Sequence, residues 1–130
     1  VDNSSVGELA GFVTQDVIVH TDADWKGCQL IISLDQPGGV YQHPWNTGDS
    51  PPSPSMLSYY PAVEFDTYVS NGDPNDTVST VSPVDLGSEV KVFDEDEIAI
   101  CWFTTSDDEI GDLRLARVTL AGFSASKVRV

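Results

Sequence analysis

Basic residues are scarce in this chain. Six lysines and arginines stand against 21 aspartates and glutamates, a formal net charge of −15. That imbalance repels nucleic acid and anionic lipid and argues against both as partners. Cysteine is almost missing: there are two, Cys28 and Cys101, with no C-x-x-C spacing and no Cys/His cluster, so no zinc or redox centre is expected. Histidine is limited to His20 and His43, and no G-x-S-x-G or comparable nucleophile motif accompanies either. No apolar run reaches the length of a membrane span, so membrane insertion is not expected. No segment of ordinary length carries the 3.6-residue apolar period of an amphipathic helix.

What is present is enough for a core. The 130 residues are 40% hydrophobic and 9% aromatic, which argues against disorder and for one domain over 1–130. The opening Val1-Asp2-Asn3-Ser4-Ser5 reads like the start of a processed, exported protein. The acids are mostly aspartate, a residue that favours turns, caps and cation sites over helices and strands. They fit either a solvated surface suited to an extracellular medium or calcium held in loops.

Apolar residues alternate with period two, the period of half-buried strands. Strands are expected at Leu9–Val13, Asp16–His20, Gln29–Leu34, Val40–His43, Pro61–Ser70, Glu89–Phe93, Ile98–Phe103, Asp112–Leu120 and the terminal Lys127–Val130, and Val78–Leu86 reads as weakly extended. Cys28, Leu30, Ile32 and Leu34 fall on one face. Ile98–Phe103 is apolar on both faces, as expected of a covered central strand. In 112–120, Leu113, Leu115, Arg117 and Thr119 oppose Arg114, Ala116, Val118 and Leu120. Turn chemistry marks Asp22–Asp24, Asp35–Gly39, Asn71–Asp76, Asp94–Asp96 and Thr104–Gly111. About nine short strands with turns every eight to twelve residues predict an all-β antiparallel sandwich of jelly-roll, cohesin-like or Ig-like type.

The stretch 44–61 departs from this pattern. Pro44, Pro51, Pro52, Pro54 and Pro61 leave little room for ladder hydrogen bonds, so a long loop is expected, with a helical turn near Ser55–Tyr59. It carries Trp45, Met56, Leu57, Tyr59 and Tyr60. These side chains either close over the core as a lid or form an exposed contact patch of Trp45, Tyr59 and Tyr60.

Candidate sites are few. His43, Glu64 and Asp66 are the best candidates for catalysis. Glu64 and Asp66 share a face of the strand expected there, yet two carboxyls must face each other across a cleft to cleave a glycoside, and no cleft is signalled. No catalytic residue is therefore assigned, and the chain is not read as an enzyme. Calcium chemistry is offered by Asp73, Asn75 and Asp76, by the run Asp94–Glu97, and by Asp107 and Asp108 with Asp112. None follows the EF-hand spacing. Asn3 and Asn75 begin N-x-S/T sequons in segments expected to be exposed. Cys28 and Cys101 form one disulfide if the protein is exported and oxidised, or remain small core residues otherwise.

Several segments resemble a group of uncharacterised secreted bacterial proteins. They are Gly11-Phe12-Val13-Thr14, Asp22-Ala23-Asp24-Trp25, Tyr41-Gln42-His43, Pro61 to Val69 (PAVEFDTYV), Ala99-Ile100-Cys101-Trp102-Phe103, Ile110-Gly111-Asp112-Leu113 and Ala116-Arg117-Val118-Thr119-Leu120. Members of that group typically carry an export signal and often a sorting tail of the PEP-CTERM type. The resemblance implies export and residence at a surface or in a matrix, and it implies no catalytic residues. More distantly, Ile98–Leu120 is similar to the late strands of cohesin-type sandwiches. The expected function is a non-catalytic extracellular structural protein, a subunit of a filament, sheath or surface layer that associates with itself or with other surface proteins. The alternative is a cohesin-like or carbohydrate-binding adhesion module that takes glycans.

Overall fold

A computed structural model describes residues 1–22, 27–34, 37–46, 48–72, 79–82, 91–103 and 111–122, and the backbone of 126–129. Eight strand segments lie among them: β1 (Phe12–Thr21), β2 (Gly27–Leu34), β3 (Tyr68–Val69), β4 (Ser79–Val81), β5 (Val92–Phe93), β6 (Glu97–Phe103), β7 (Gly111–Ala121) and β8 (Ser126–Arg129). One short helix, α1 (Pro54–Tyr59), and two 3-10 segments, Gly7–Leu9 and Pro61–Phe65, complete the regular structure. No helix among the described residues is long and apolar enough to cross a membrane.

The strands form two antiparallel sheets, as expected of a β-sandwich. The first runs β1-β7-β3; the second runs β4-β6-β2-β8, with β5 also on β6. β4 pairs with Phe103–Cys101 and β5 with Ala99–Ile98, so the two short strands divide one edge of β6 between them. The facing apolar sides make the core: Leu30 and Ile32 from β2, Ile98, Ile100 and Trp102 from β6, Val69 from β3, and Leu115, Ala116 and Val118 from β7. The Trp102 indole is fully buried and donates its N–H to the Ser70 carbonyl at 2.9 Å, tying the second sheet to the first.

Several sequence expectations change here. Leu9–Val13 and Asp16–His20 are one strand preceded by a 3-10 turn, because no turn residue interrupts Phe12–Thr21. Val40 makes an isolated bridge to Leu120 rather than a strand. The strand expected over Pro61–Ser70 is a 3-10 turn over Pro61–Phe65 followed by two strand residues. Proline at the first position presets the turn, and local bonds from Val63 to Tyr60 and from Asp66 to Val63 replace ladder bonds.

The second 3-10 segment adds a third layer. Ala62, Val63 and Phe65 are buried. A cluster of buried threonine hydroxyls fixes this layer to the outer face of the first sheet. Thr119 Oγ1 donates to the Phe65 carbonyl at 2.5 Å and meets Thr14 Oγ1 at 2.7 Å, while Thr67 Oγ1 accepts the Thr119 N–H. With both faces covered, β7 is buried over Leu115–Thr119, although Arg117 and Thr119 are polar.

Candidate functional site

The outer face of the first sheet acquires its chemistry from a β-bulge. Val17 pairs with Ala116 but Ile18 pairs with Arg114, so Leu115 is an extra residue on β7. A bulge of this kind places two successive side chains on about the same face and shifts the alternation beyond it. Leu115 and Ala116 accordingly both join the core. Arg114 and Arg117 are thereby brought to one outer face, where simple alternation from the sequence had set them on opposite faces. A signal was present: Leu113 and Leu115 keep one phase, Ala116, Val118 and Leu120 the other, and two adjacent apolar residues mark the slip.

Both arginines converge on Asp16, the β1 residue opposite Arg117. Arg117 donates from Nε to Oδ1 at 2.7 Å and from Nη2 to Oδ2 at 3.0 Å, and its Nη1 donates to the Glu64 carbonyl at 2.9 Å. Burial works to raise the Asp16 pKa, but the Arg117 bonds and the charges of Arg117 and Arg114 outweigh it and hold the carboxyl below its ordinary value. Arg114 is looser. Its Nη1 stands 3.7 Å from Asp16, its Nη2 donates to the Tyr68 hydroxyl at 3.0 Å, and its guanidinium lies 5.9 Å from the centre of the Tyr68 ring. Burial raises the Tyr68 phenol, against the pull of the two guanidiniums.

These groups floor an open groove of about 440 Å³. Tyr68, Arg114 and Arg117 lie along it, Pro51, Pro52 and Leu57 form one wall, and Pro61 and Glu64 complete the lining. The wall belongs to the proline-rich loop, which buried Asp66 anchors. Asp66 Oδ1 accepts the His43 N–H at 2.9 Å, and Oδ2 accepts from Asn46 Nδ2 at 2.7 Å. Burial outweighs these bonds and pushes the carboxyl up to about 7. Asp49 holds the next stretch of loop: its carboxylate takes Thr80 Oγ1 at 2.8 Å and Lys91 Nζ at 2.9 Å.

The loop's large side chains do not close over the core as a lid: of the five, only Met56 is partly buried, and the buried residues here are Ala62, Val63, Phe65 and Pro52. Trp45 and Tyr59 are 68% and 79% exposed, and Leu57 and Tyr60 are also exposed. Trp45 stacks on Tyr60 at 6.4 Å between ring centres, and Tyr60 in turn packs on His43. An apolar ledge therefore faces solvent, seated on His43. The His43 Nδ1 accepts the Trp45 N–H, so the neutral ring carries its proton on Nε2.

The remaining candidates separate. Glu64 and Asp66 do not share a face: Asp66 is buried under the loop and Glu64 is exposed in the groove. Of the described acids offered for calcium, Asp112 is hydrogen-bonded to the exposed His20 across the ladder, Asp94 accepts the backbone N–H groups of Asp96 and Glu97, and Asp96 accepts that of Gly38. Asp73, Asn75, Asp76, Asp107 and Asp108 lie outside the described residues, as do the Trp25 segment and the whole 104–110 connection. Among the described residues, no three or more His, Cys, Asp or Glu side chains gather in a way that would hold a metal ion.

Of the two alternatives for the cysteines, the structure has the unbridged one: Cys28 and Cys101 are free thiols. Cys28 pairs with Trp102 and Gln29 with Cys101, so the two sulfurs point to opposite faces of the second sheet. The Asn3 side-chain nitrogen, the atom a glycan would occupy, donates instead to the Phe12 carbonyl and to Thr14 Oγ1. Comparison with known proteins finds no matching family model, curated protein or solved structure.

Proposed function

We propose that this chain is a non-catalytic extracellular structural domain whose β1 edge pairs with a second copy in a surface assembly. One observation carries the reading. β1 is a ten-residue strand at the end of its sheet, and among the described residues it pairs with no strand except β7. Such an edge offers a row of N–H and C=O groups to another chain. The Val1 nitrogen donates to the Thr14 carbonyl and Asn3 donates to that of Phe12, so the first residues cover only the front of this edge. Alternation by two turns the backbone groups of Asp16 to the same open side.

Side chains add to the support. Val13 and Ile18 are 52% and 53% exposed and lie on opposite faces of β1. A strand added about 4.8 Å away would cover part of both. Beneath the edge, an opening of about 350 Å³ is lined by Val17, Ile32, Val118 and Leu120 together with Val1, Gln15 and Asp16, room for a side chain of the neighbour. The −15 charge opposes association at low salt and leaves it to screened conditions.

Negative-stain electron microscopy and sedimentation velocity of the full chain test the proposal at low and at 0.5 M salt, roughly the range over which screening shortens from long to a few ångströms. Regular oligomers or filaments at high salt, abolished by Ile18→Lys, are expected. A monodisperse monomer at every concentration and salt level contradicts it.

A second reading, adhesion through exposed aromatics, is favoured by the Trp45–Tyr60 ledge. Side chains of this size are usually withdrawn into a core, and here they stand in solvent on a well-anchored loop.

A further inference from the structure

We infer that the groove over the bulged face of the first sheet is a subsite for an uncharged saccharide, with Arg114 and Glu64 as its hydrogen-bonding groups and Leu57 as its apolar contact. The inference rests on the adhesive reading and gives it a ligand class and a place.

Charge selects the class. The chain as a whole is strongly negative, so an anionic ligand is repelled on approach. A cation meets two guanidiniums on the groove floor. At the site itself Asp16 and Glu64 balance Arg114 and Arg117, leaving donors and acceptors side by side with little net charge. A neutral polyhydroxylated ligand is the partner such a surface fits.

The two arginines are not equivalent. Arg117 spends its Nε, Nη1 and Nη2 on Asp16 and on the Glu64 carbonyl, and it holds the floor in place. Arg114 retains one-third of its side-chain exposure, and it has N–H groups to spare beyond its bond to Tyr68. The Glu64 carboxylate is exposed into the same groove as an acceptor. A planar donor and a carboxylate lining one groove match the hydroxyls of a sugar ring. The Leu57 and proline wall offers the apolar surface that its C–H face needs. The volume of about 440 Å³ falls within the range of about 300–1,000 Å³ typical of small-ligand sites. At the Pro61 end the chain passes straight into Tyr60, so the aromatic ledge can carry further units of an oligosaccharide beyond the groove.

The test titrates the full chain with cellopentaose, xylopentaose, mannopentaose and laminaripentaose, and with the anionic tetragalacturonate. Calorimetry and amide chemical shifts are the readouts. At least one uncharged pentasaccharide is expected to bind and to move the signals of Leu57, Tyr68 and Arg114. Arg114→Gln is expected to weaken it about tenfold. Leu57→Ser, at an exposed position that leaves the fold intact, is expected to weaken it as well, which guards against Arg114→Gln acting through stability. Preference for tetragalacturonate overturns the inference, and so does binding indifferent to both variants. If instead only Trp45→Ala and Tyr60→Ala abolish binding, the groove assignment fails while adhesion by the ledge stands. Silence of all five sugars removes both.

Discussion

Asp16 and Arg117 face each other across the β1–β7 ladder and are joined by two hydrogen bonds, 2.7 and 3.0 Å long, next to the bulge at Leu115. The pair lies under the 3-10 layer, where the side chains are mostly shielded from water. Removing one partner strands the other. Asp16→Ala is expected to cost roughly 3 kcal/mol in urea unfolding. Replacing both residues with leucine is expected to cost less than half of that, because no buried charge is then left unpaired. A double replacement as costly as the single one would show that the pair's energy does not come from this contact.

Asp66 gives the pH profile its shape. Its folded pKa of about 7 lies well above the ordinary carboxylate value. The folded chain thus holds this proton more tightly than the unfolded chain does. Stability from this group is fully present below about pH 4 and is lost as pH rises towards 7, by on the order of 2–4 kcal/mol. Asp16 acts in the opposite sense, since its lowered pKa makes its contribution present above the ordinary carboxylate range and lost in acid. Chemical denaturation between pH 5 and 8 is expected to show falling stability in the parent and a flatter profile in Asp66→Asn. Equal slopes in the two proteins would contradict the assignment.

The thiols make a simpler case. Burial foremost, and then the neighbouring Cys101, push Cys28 up to about 11. Denatured protein is expected to titrate two thiols without reductant, and reductant is expected to leave the melting temperature unchanged. At about pH 8, iodoacetamide is expected to modify Cys28 far more slowly in the native state than in denatured protein, because the native Cys28 thiolate is scarce. Peptide mass mapping reads the two rates directly.

How much of this was legible in the sequence depends on the range of the interaction. Strands whose alternation is uninterrupted read correctly: Gln29–Leu34 and Ile98–Phe103 sit within β2 and β6, with Leu30, Ile32, Ile100 and Trp102 inward as their spacing implies. The segment Pro61–Phe65 did not, because its apolar residues face a sheet assembled from residues about fifty positions later, and a proline-led turn can bury them as well as a strand can. The arginine pair was hidden by a single extra residue at Leu115. A one-residue slip exchanges the faces of everything beyond it, and the adjacent apolar pair Leu115-Ala116 is its one local sign, which only the observed register makes readable. The disulfide likewise turns on register, which spacing between cysteines does not contain.

Trp102 joins the two sheets through both packing and its bond to Ser70. Trp102→Ala is expected to remove about 3–5 kcal/mol, and Trp102→Phe clearly less. Guanidinium unfolding separates them. A loss below about 1 kcal/mol for the alanine variant would mean that the sheets are held together elsewhere.

Backbone hydrogen exchange along β1, compared between dilute protein and concentrated protein at high salt, tests edge pairing most directly. Asp16 and the residues following it on the open edge are expected to gain protection on concentration, while β7 amides, already paired, change little. Unchanged exchange along β1 in a sample that has demonstrably assembled would contradict edge pairing, because the subunits would then be joined by some other surface.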